Sequence, residues 1–254
     1  MKTKGNTILI TGGGSGIGAA LAQRWHDAGN SVIVAGRRIE ALEAACAGRQ
    51  NMHAMTLDVE SASGVADFAA RLLDAHPGLN VLVNNAGIMR FEPLDTKRDL
   101  GDAEAIITTN LLGPIRLTDA LVDHLVATAD AAIVNVTSGL AFVPLVVTPT
   151  YNATKAAMHS YTIALRTALE GRVEVIELAP PAVQTELTPG QSQREGYQPL
   201  DSFADEVLGL FGQSPTPGEV LVEGVKFLRN AEREGRFDET LGQLNAFAKA
   251  TREG

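Results

Sequence analysis

The sequence predicts an α/β protein built on a doubly wound parallel sheet of six or seven strands, with helices on both faces. Three observations predict it. Short, β-branched apolar runs recur along the chain, longer stretches with helical spacing separate them, and a glycine-rich turn follows the first run. Strands that are apolar on nearly every residue suit a sheet buried on both faces. A helix between successive strands implies right-handed parallel crossovers.

The strands are expected at residues 7–11, 31–35, 52–57, 81–83, 132–136 and 173–178, each run too short for a core helix. Helical spacing fills residues 19–28, 39–47, 63–75, 103–127 and 153–169 between them. Residues 180–217 change to Pro, Gln, Ser, Thr and Gly with scattered apolar positions, a stretch long enough to form a substrate lid over about residues 182–216. Residues 219–230 read as a further helix, and the periodicity weakens into an irregular tail from about residue 236. The whole chain, residues 1–254, is expected to be one dinucleotide-binding and catalytic domain.

Composition narrows the function. With 45% hydrophobic and 20% charged residues the chain has both a core and a solvated surface, which argues against disorder. A net charge of −9 leaves no general positive field for a phosphate backbone, so nucleic acid is excluded as a partner. Cys46 is the only cysteine, so no internal disulfide or CxxC metal pair can form, and a reducing, cytoplasmic setting is expected. The opening apolar run is too short for a signal peptide and no run reaches membrane-spanning length, so a soluble, uncleaved chain without a membrane partner is expected.

The first strand ends in Thr11-Gly12-Gly13-Gly14-Ser15-Gly16-Ile17-Gly18, just before a helix. Glycines let backbone amides approach a phosphate, and the helix N-terminus adds aligned N–H donors. The competing reading is a tight turn that binds nothing, and the strand-to-helix placement favours the phosphate. The second strand ends in Gly36-Arg37-Arg38, where many dinucleotide folds carry an acid for the adenosine ribose. A guanidinium fork there favours a 2′-phosphate and hence NADP(H), unless both arginines merely solvate the next helix.

Tyr151 and Lys155 stand four residues apart at the start of a periodic helix and share one face. A neighbouring ammonium favours the phenolate and lowers a tyrosine pKa, fitting the phenol for proton transfer to a carbonyl oxygen. The strand at residues 132–136 runs into Thr137-Ser138-Gly139, where a hydroxyl at the strand's carboxyl end can bond a developing alkoxide; Ser138 is the better candidate of the two hydroxyls. Alone, either hydroxyl also reads as a strand-end cap.

With the glycine turn, Asn84-Asn85-Ala86-Gly87 after the fourth strand, Ser138 and the Tyr151/Lys155 pair in this order, the chain resembles the classical short-chain dehydrogenase/reductase (SDR) family, a Rossmann-type fold. The resemblance covers roughly residues 7–185, and the Gly-Arg-Arg and Pro-Pro segments look closest to its NADP-preferring, DltE-like oxidoreductases. It implies that Tyr151 is the general acid/base, that Lys155 holds the nicotinamide ribose and lowers the tyrosine pKa, and that Ser138 orients the carbonyl. Asn110 matches a helix asparagine that kinks its helix and positions a water; the competing reading is a buried asparagine bonded to backbone. Gly12, Gly14, Ser15, Gly16, Ile17 and Gly18 would surround the pyrophosphate, with Arg37 and Arg38 on the 2′-phosphate. Asp58 and Val59 fall where the family contacts adenine, although Asp58 equally suits a helix cap. Asn85, Ala86 and Gly87 would pass the adenosine ribose, and Val183 and Thr185 would meet the carboxamide.

Three departures stand out. Pro181 replaces a frequent glycine, Ser15 stands where NADP-dependent members often have a basic residue, and no glycine-rich seventh strand is visible after Asn230. No metal site is expected. Met89, Phe91, Leu140, Phe142, Val143 and Val146, with Leu187, Tyr197 and Phe203 from the lid, are the expected substrate lining and suit a hydrophobic carbonyl or alcohol. The helices at residues 103–127 and 153–169 imply a homodimer or homotetramer, since family members usually associate through them. The rival functions are an NAD-dependent alcohol dehydrogenase, a non-catalytic dinucleotide sensor, and a sugar-nucleotide epimerase or dehydratase of the extended family. The intact Ser138, Tyr151, Lys155 and Asn110 argue against the sensor, and the glycine spacing and missing C-terminal substrate portion argue against the epimerase.

Overall fold

Seven strands, β1 (Thr7–Thr11), β2 (Ser31–Gly36), β3 (Met52–Thr56), β4 (Val81–Asn84), β5 (Ala132–Val136), β6 (Glu174–Leu178) and β7 (Glu219–Val220), form one parallel sheet in the order β3-β2-β1-β4-β5-β6-β7. The computed structural model describes residues 1–253, so Gly254, the last residue of the expected domain, lies outside the described residues. Every pairing is parallel, as in the registers Ile8↔Val32 and Ile8↔Val81.

Alternate residues of each central strand feed two separate cores. Ile8, Ile10, Val32, Val34, Val81 and Val83 face one cluster with Leu21 and Trp25 of α1 (Gly16–Asp27) and Leu42 of α2 (Ile39–Cys46). Leu9, Ile33 and Leu82 face the other, with Val65 and Phe68 of α3 (Ala62–Ala75). This double burial is why the strands lack the polar alternation of a one-sided sheet.

The stretch expected as one helix over residues 103–127 is broken. It divides into α4 (Gly101–Ile107), a π-helical turn at Thr108–Leu112, and α5 (Gly113–Ala127), whose Leu117, Leu121 and Leu125 complete the second core. A π turn adds one residue to a helical turn without breaking the apolar stripe, so periodicity does not reveal it. The next helix, α6 (Pro149–Ala168), begins at its proline, four residues before the expected start.

In the C-terminal third the expected helix start at residue 219 and the irregular tail are corrected. The lid stretch contains α7 (Leu200–Phe211), whose Phe203, Val207 and Phe211 enter the first core, with Trp25 and Phe211 rings edge-on at 5.6 Å. Glu219 and Val220 form β7 beside Glu177 and Leu178, so the sheet has seven strands; the expected helix begins only at α8 (Glu223–Arg229). The tail is helical, as α9 (Phe237–Glu253), with Phe237, Leu241 and Leu244 packed on Val143, Leu228 and Ala231. No helix among the described residues is long and apolar enough to cross a membrane.

Candidate active site

The strand order reverses between β1 and β4, where neighbouring crossovers leave in opposite directions and open a crevice at the strands' carboxyl ends. A cavity of about 670 Å³ occupies this place. Thr11 closes its floor, its Oγ1 accepting from the backbone N–H groups of Asn85 and Ala86 at 3.0 Å each, while Asn85 Nδ2 donates to Thr11 O at 2.8 Å.

The glycine turn runs along one wall of the cavity, lined by Gly12, Gly14, Ser15, Gly16, Ile17 and Gly18. Gly16 has φ +52°, in the region that favours glycine. A Cβ on Gly18 would lie 2.3 Å from Gly12 O, so the turn closes only without one. Gly13, not singled out from sequence, allows the turn to lie on β2: its Cβ would meet Val34 at 2.7 Å. Ser15 caps α1 in extended backbone without a side-chain bond, and no acid stands in the first turn, so the helix-start N–H groups lack a capping acceptor.

Beyond the ends of β2 and β3 the lining includes Arg37, Arg38, Val59 and Glu60. Arg37 is 60% exposed and reaches Glu60 Oε1 with NH1 at 3.3 Å, and Arg38 caps α2. Asp58 is not among the lining residues; its carboxylate accepts from Glu60 N at 3.0 Å, which makes it a turn former before α3, capped by Ser61. Glu60, two residues further on, takes the place beside the cavity and was not singled out from sequence.

At the other end stand Ser138, Tyr151 and Lys155, all buried and all lining the cavity. Ser138 Oγ accepts from Leu140 N at 3.1 Å, and the Ser138 hydroxyl favours the phenolate form of Tyr151. Lys155 Nζ donates to Val136 O at 2.8 Å and lies 5.6 Å from the centre of the Tyr151 ring. The expected lowering of the tyrosine pKa is reversed among the protein's own groups. Burial pushes Tyr151 up to about 12, opposed only by the Ser138 hydroxyl, and burial pushes Lys155 down to about 8. Burial thus shifts each group toward its neutral form: the phenol keeps its proton at pH 7, and the lysine is still predominantly an ammonium there.

Asn110 lies in the π turn behind the cavity and does not line it. Its Oδ1 accepts from Ile88 N at 2.9 Å and its Nδ2 donates to Ile88 O at 2.8 Å, pinning the loop after β4 beside α6. This is the backbone-bonded reading of that asparagine. Gly87 passes between it and the lysine, since a Cβ there would lie 3.3 Å from Asn110 Oδ1 and 3.7 Å from Lys155 Nζ. Glu92, missed from sequence, fixes the start of α6 by accepting from Thr150 N at 3.2 Å and Thr150 Oγ1 at 2.9 Å.

Val183 and Thr185 line the cavity with Gln184, Gln191 and Leu187. Of the nine residues expected around the substrate, only Leu187 is among them. Phe203 and Val143 are fully buried in core clusters, and Phe142 turns away to pack edge-on against His159 at 5.0 Å. Away from the cavity, His159, Glu177 and Glu219 bring three potential metal-ligand atoms within 4.8 Å of one another. Protein groups already engage them: Arg229 grips both Glu219 oxygens, and Glu177 accepts from Thr137 Oγ1 and pairs with His159 Nδ1.

Comparison with known proteins matches residues 6–196 to the family described as short chain dehydrogenase. This chain belongs to the short-chain dehydrogenase family. Its members are oxidoreductases, and the Rossmann-type sheet above is the fold they share. The chain is 40% identical over 253 residues to the uncharacterized oxidoreductase DltE of Bacillus subtilis strain 168, covering 96% of this chain and 98% of that one. It is 37% identical over 186 residues to sulfoacetaldehyde reductase 2 of Chromohalobacter salexigens, covering 71% and 74%. Among solved structures, the closed form of a serine dehydrogenase complexed with NADP+ superposes with a TM-score of 0.75 at 26% identity, covering 84% of this chain and 90% of that one.

Proposed function

We propose that this SDR protein is an NADP(H)-dependent carbonyl reductase that moves a hydride between nicotinamide and a ketone or aldehyde carbon, or the corresponding secondary alcohol. The observation that carries the proposal is the buried Ser138–Tyr151 hydroxyl pair in the same cavity as an uncapped helix start and two arginines. The cavity volume of about 670 Å³ falls in the range of cofactor sites.

The residues fit a phosphorylated dinucleotide. The α1 start offers N–H donors and positive dipole to a pyrophosphate, flanked by Gly12, Gly14, Gly16 and Gly18. Arg37 and Arg38 offer guanidinium groups to a 2′-phosphate, and Asn85, Ala86, Gly87 and Val59 line the adenosine side. When bound, the dinucleotide supplies the hydride. Val183 and Thr185 would meet its carboxamide, and Lys155 would hold the nearby ribose.

A phenol with a pKa of about 12 keeps its proton at neutral pH, the state a general acid needs to protonate a carbonyl oxygen as it becomes an alkoxide. Ser138 holds that oxygen with a second hydrogen bond. Lys155, with a pKa of about 8, is predominantly an ammonium at pH 7 and stabilises the phenolate left behind. Asn110 acts by fixing Ile88 and the loop past Gly87.

The segment expected as a lid is tied down at its base, with Gln184 N donating to Gln198 O and Gln198 N to Ala182 O at 2.9 Å each. It covers the substrate end with Leu187, which with Ile88 and Val183 gives the hydrophobic surface for a substrate body. Exposed Leu112 of the π turn and Ile163 of α6 support association of copies into a homodimer or homotetramer, a state that light scattering reads directly. A cytoplasmic setting accords with the lone Cys46.

Calorimetric titration with NADPH and NADH, followed by NADPH absorbance with a panel of aldehydes and ketones, tests the proposal. Tighter binding of NADPH and its carbonyl-dependent oxidation are expected. Turnover with NADH alone would convert the reading to an NAD-dependent enzyme, and binding without any turnover would favour a sensor.

A further inference from the structure

The adenosine end of the cavity holds a carboxylate as well as arginines. Glu60 Oε1 accepts from Thr109 Oγ1 at 2.8 Å, and Thr109 is itself buried. The backbone oxygen of Glu60 accepts from Arg116 NH1 at 2.9 Å. Glu60 is thus fixed at both ends, by the π turn and by α5. The same Oε1 pairs with Arg37 NH1 at 3.3 Å, and both side chains line the cavity.

We infer that Glu60 sets the cofactor discrimination of this chain by competing with the 2′-phosphate for Arg37. This rests on the reading that Arg37 receives that phosphate. The partner that must move is Arg37, because Glu60 is anchored and Arg37 is mostly exposed. A phosphate arriving at Arg37 breaks or shares the ion pair and meets a second negative charge beside it. A ribose carrying a 2′-hydroxyl meets neither cost, and a carboxylate is an acceptor for hydroxyl donors. Glu60 therefore narrows the gap between NADPH and NADH that the two arginines open. An exposed ion pair alone contributes little to stability, so the effect falls on ligand binding and leaves folding nearly unchanged.

The test is calorimetric titration of NADPH and NADH into wild-type protein, Glu60→Gln and Arg37→Ala, with melting temperatures confirming the fold. The amide keeps an oxygen for Thr109 and loses the charge. Glu60→Gln is expected to tighten NADPH by about fivefold or more while leaving NADH unchanged or weaker. An unchanged NADPH affinity, or equal tightening of both cofactors, overturns the inference. In Arg37→Ala, weakened NADPH with NADH little altered upholds the phosphate reading whatever Glu60→Gln shows. NADPH binding that survives the loss of Arg37 undisturbed removes that reading, and the inference about Glu60 falls with it.

Discussion

Lys155 Nζ donates to the carbonyl oxygen of Val136 at 2.8 Å, so α6 is bolted to the strand that leads into Ser138. One bond thereby sets the helix that carries Tyr151 against the strand end before Ser138. It also keeps an amine buried where water cannot solvate its charge.

That burial gives a measurable pH dependence. Lys155 titrates near 8 in the folded chain and near 10.5 in its ordinary state, so below pH 8 the folded protein carries the full cost of a buried ammonium. Between those values the unfolded chain binds the extra proton and stability rises with pH. Tyr151 acts oppositely above pH 10, where the folded chain retains a phenol proton that the unfolded chain loses, so stability falls there. Lys155→Met is expected to abolish turnover yet raise stability at pH 7 by about 2 kcal/mol, after about 1 kcal/mol for the lost hydrogen bond. Urea unfolding at pH 7 and pH 9 should show the wild-type rise flattened in the variant.

Gly18→Ala places a methyl group 2.3 Å from Gly12 O and 2.5 Å from Asn85 Nδ2. Backbone on one side and the β1–β4 tie on the other leave nowhere for it to go. A loss of about 1–3 kcal/mol is expected in urea unfolding, together with much weaker NADPH binding.

Asn110→Ala removes two bonds to Ile88 and leaves that residue's backbone groups without their partner. The expected cost is about 2 kcal/mol by urea unfolding, with a lowered kcat as the loop past Gly87 loosens. Asn110→Asp keeps an acceptor for Ile88 N but sets a second carboxylate oxygen against Ile88 O, so it should not recover the stability.

The sheet was largely legible because each strand is a short apolar run between turn signals, as at Ile8 to Ile10 and Val32 to Val34. Features without a periodic signature were not. The π turn around Asn110 hides inside an unbroken apolar stripe, and β7 is two residues long. The helix α7 did carry a signal, with Phe203, Val207 and Phe211 four apart, masked by surrounding Pro and Gly. At the site, the glycine turn, Ser138, Tyr151 and Lys155 come together from distant segments as their order implies. The substrate side was read poorly because Phe142, Val143 and Phe203 are apolar for packing, which composition cannot distinguish from ligand lining. The direction of the Tyr151 shift depends on burial outweighing the Ser138 hydroxyl, a balance visible only in three dimensions.

In the proposed reaction the Tyr151 hydroxyl delivers the proton. Tyr151→Phe deletes that one oxygen in a buried site and leaves the glycine turn and the arginines untouched. Paired measurements of NADPH affinity and carbonyl-dependent NADPH oxidation decide it. Turnover reduced by about a thousandfold or more, with NADPH affinity nearly unchanged, is expected. Turnover persisting at the wild-type rate in Tyr151→Phe would contradict it.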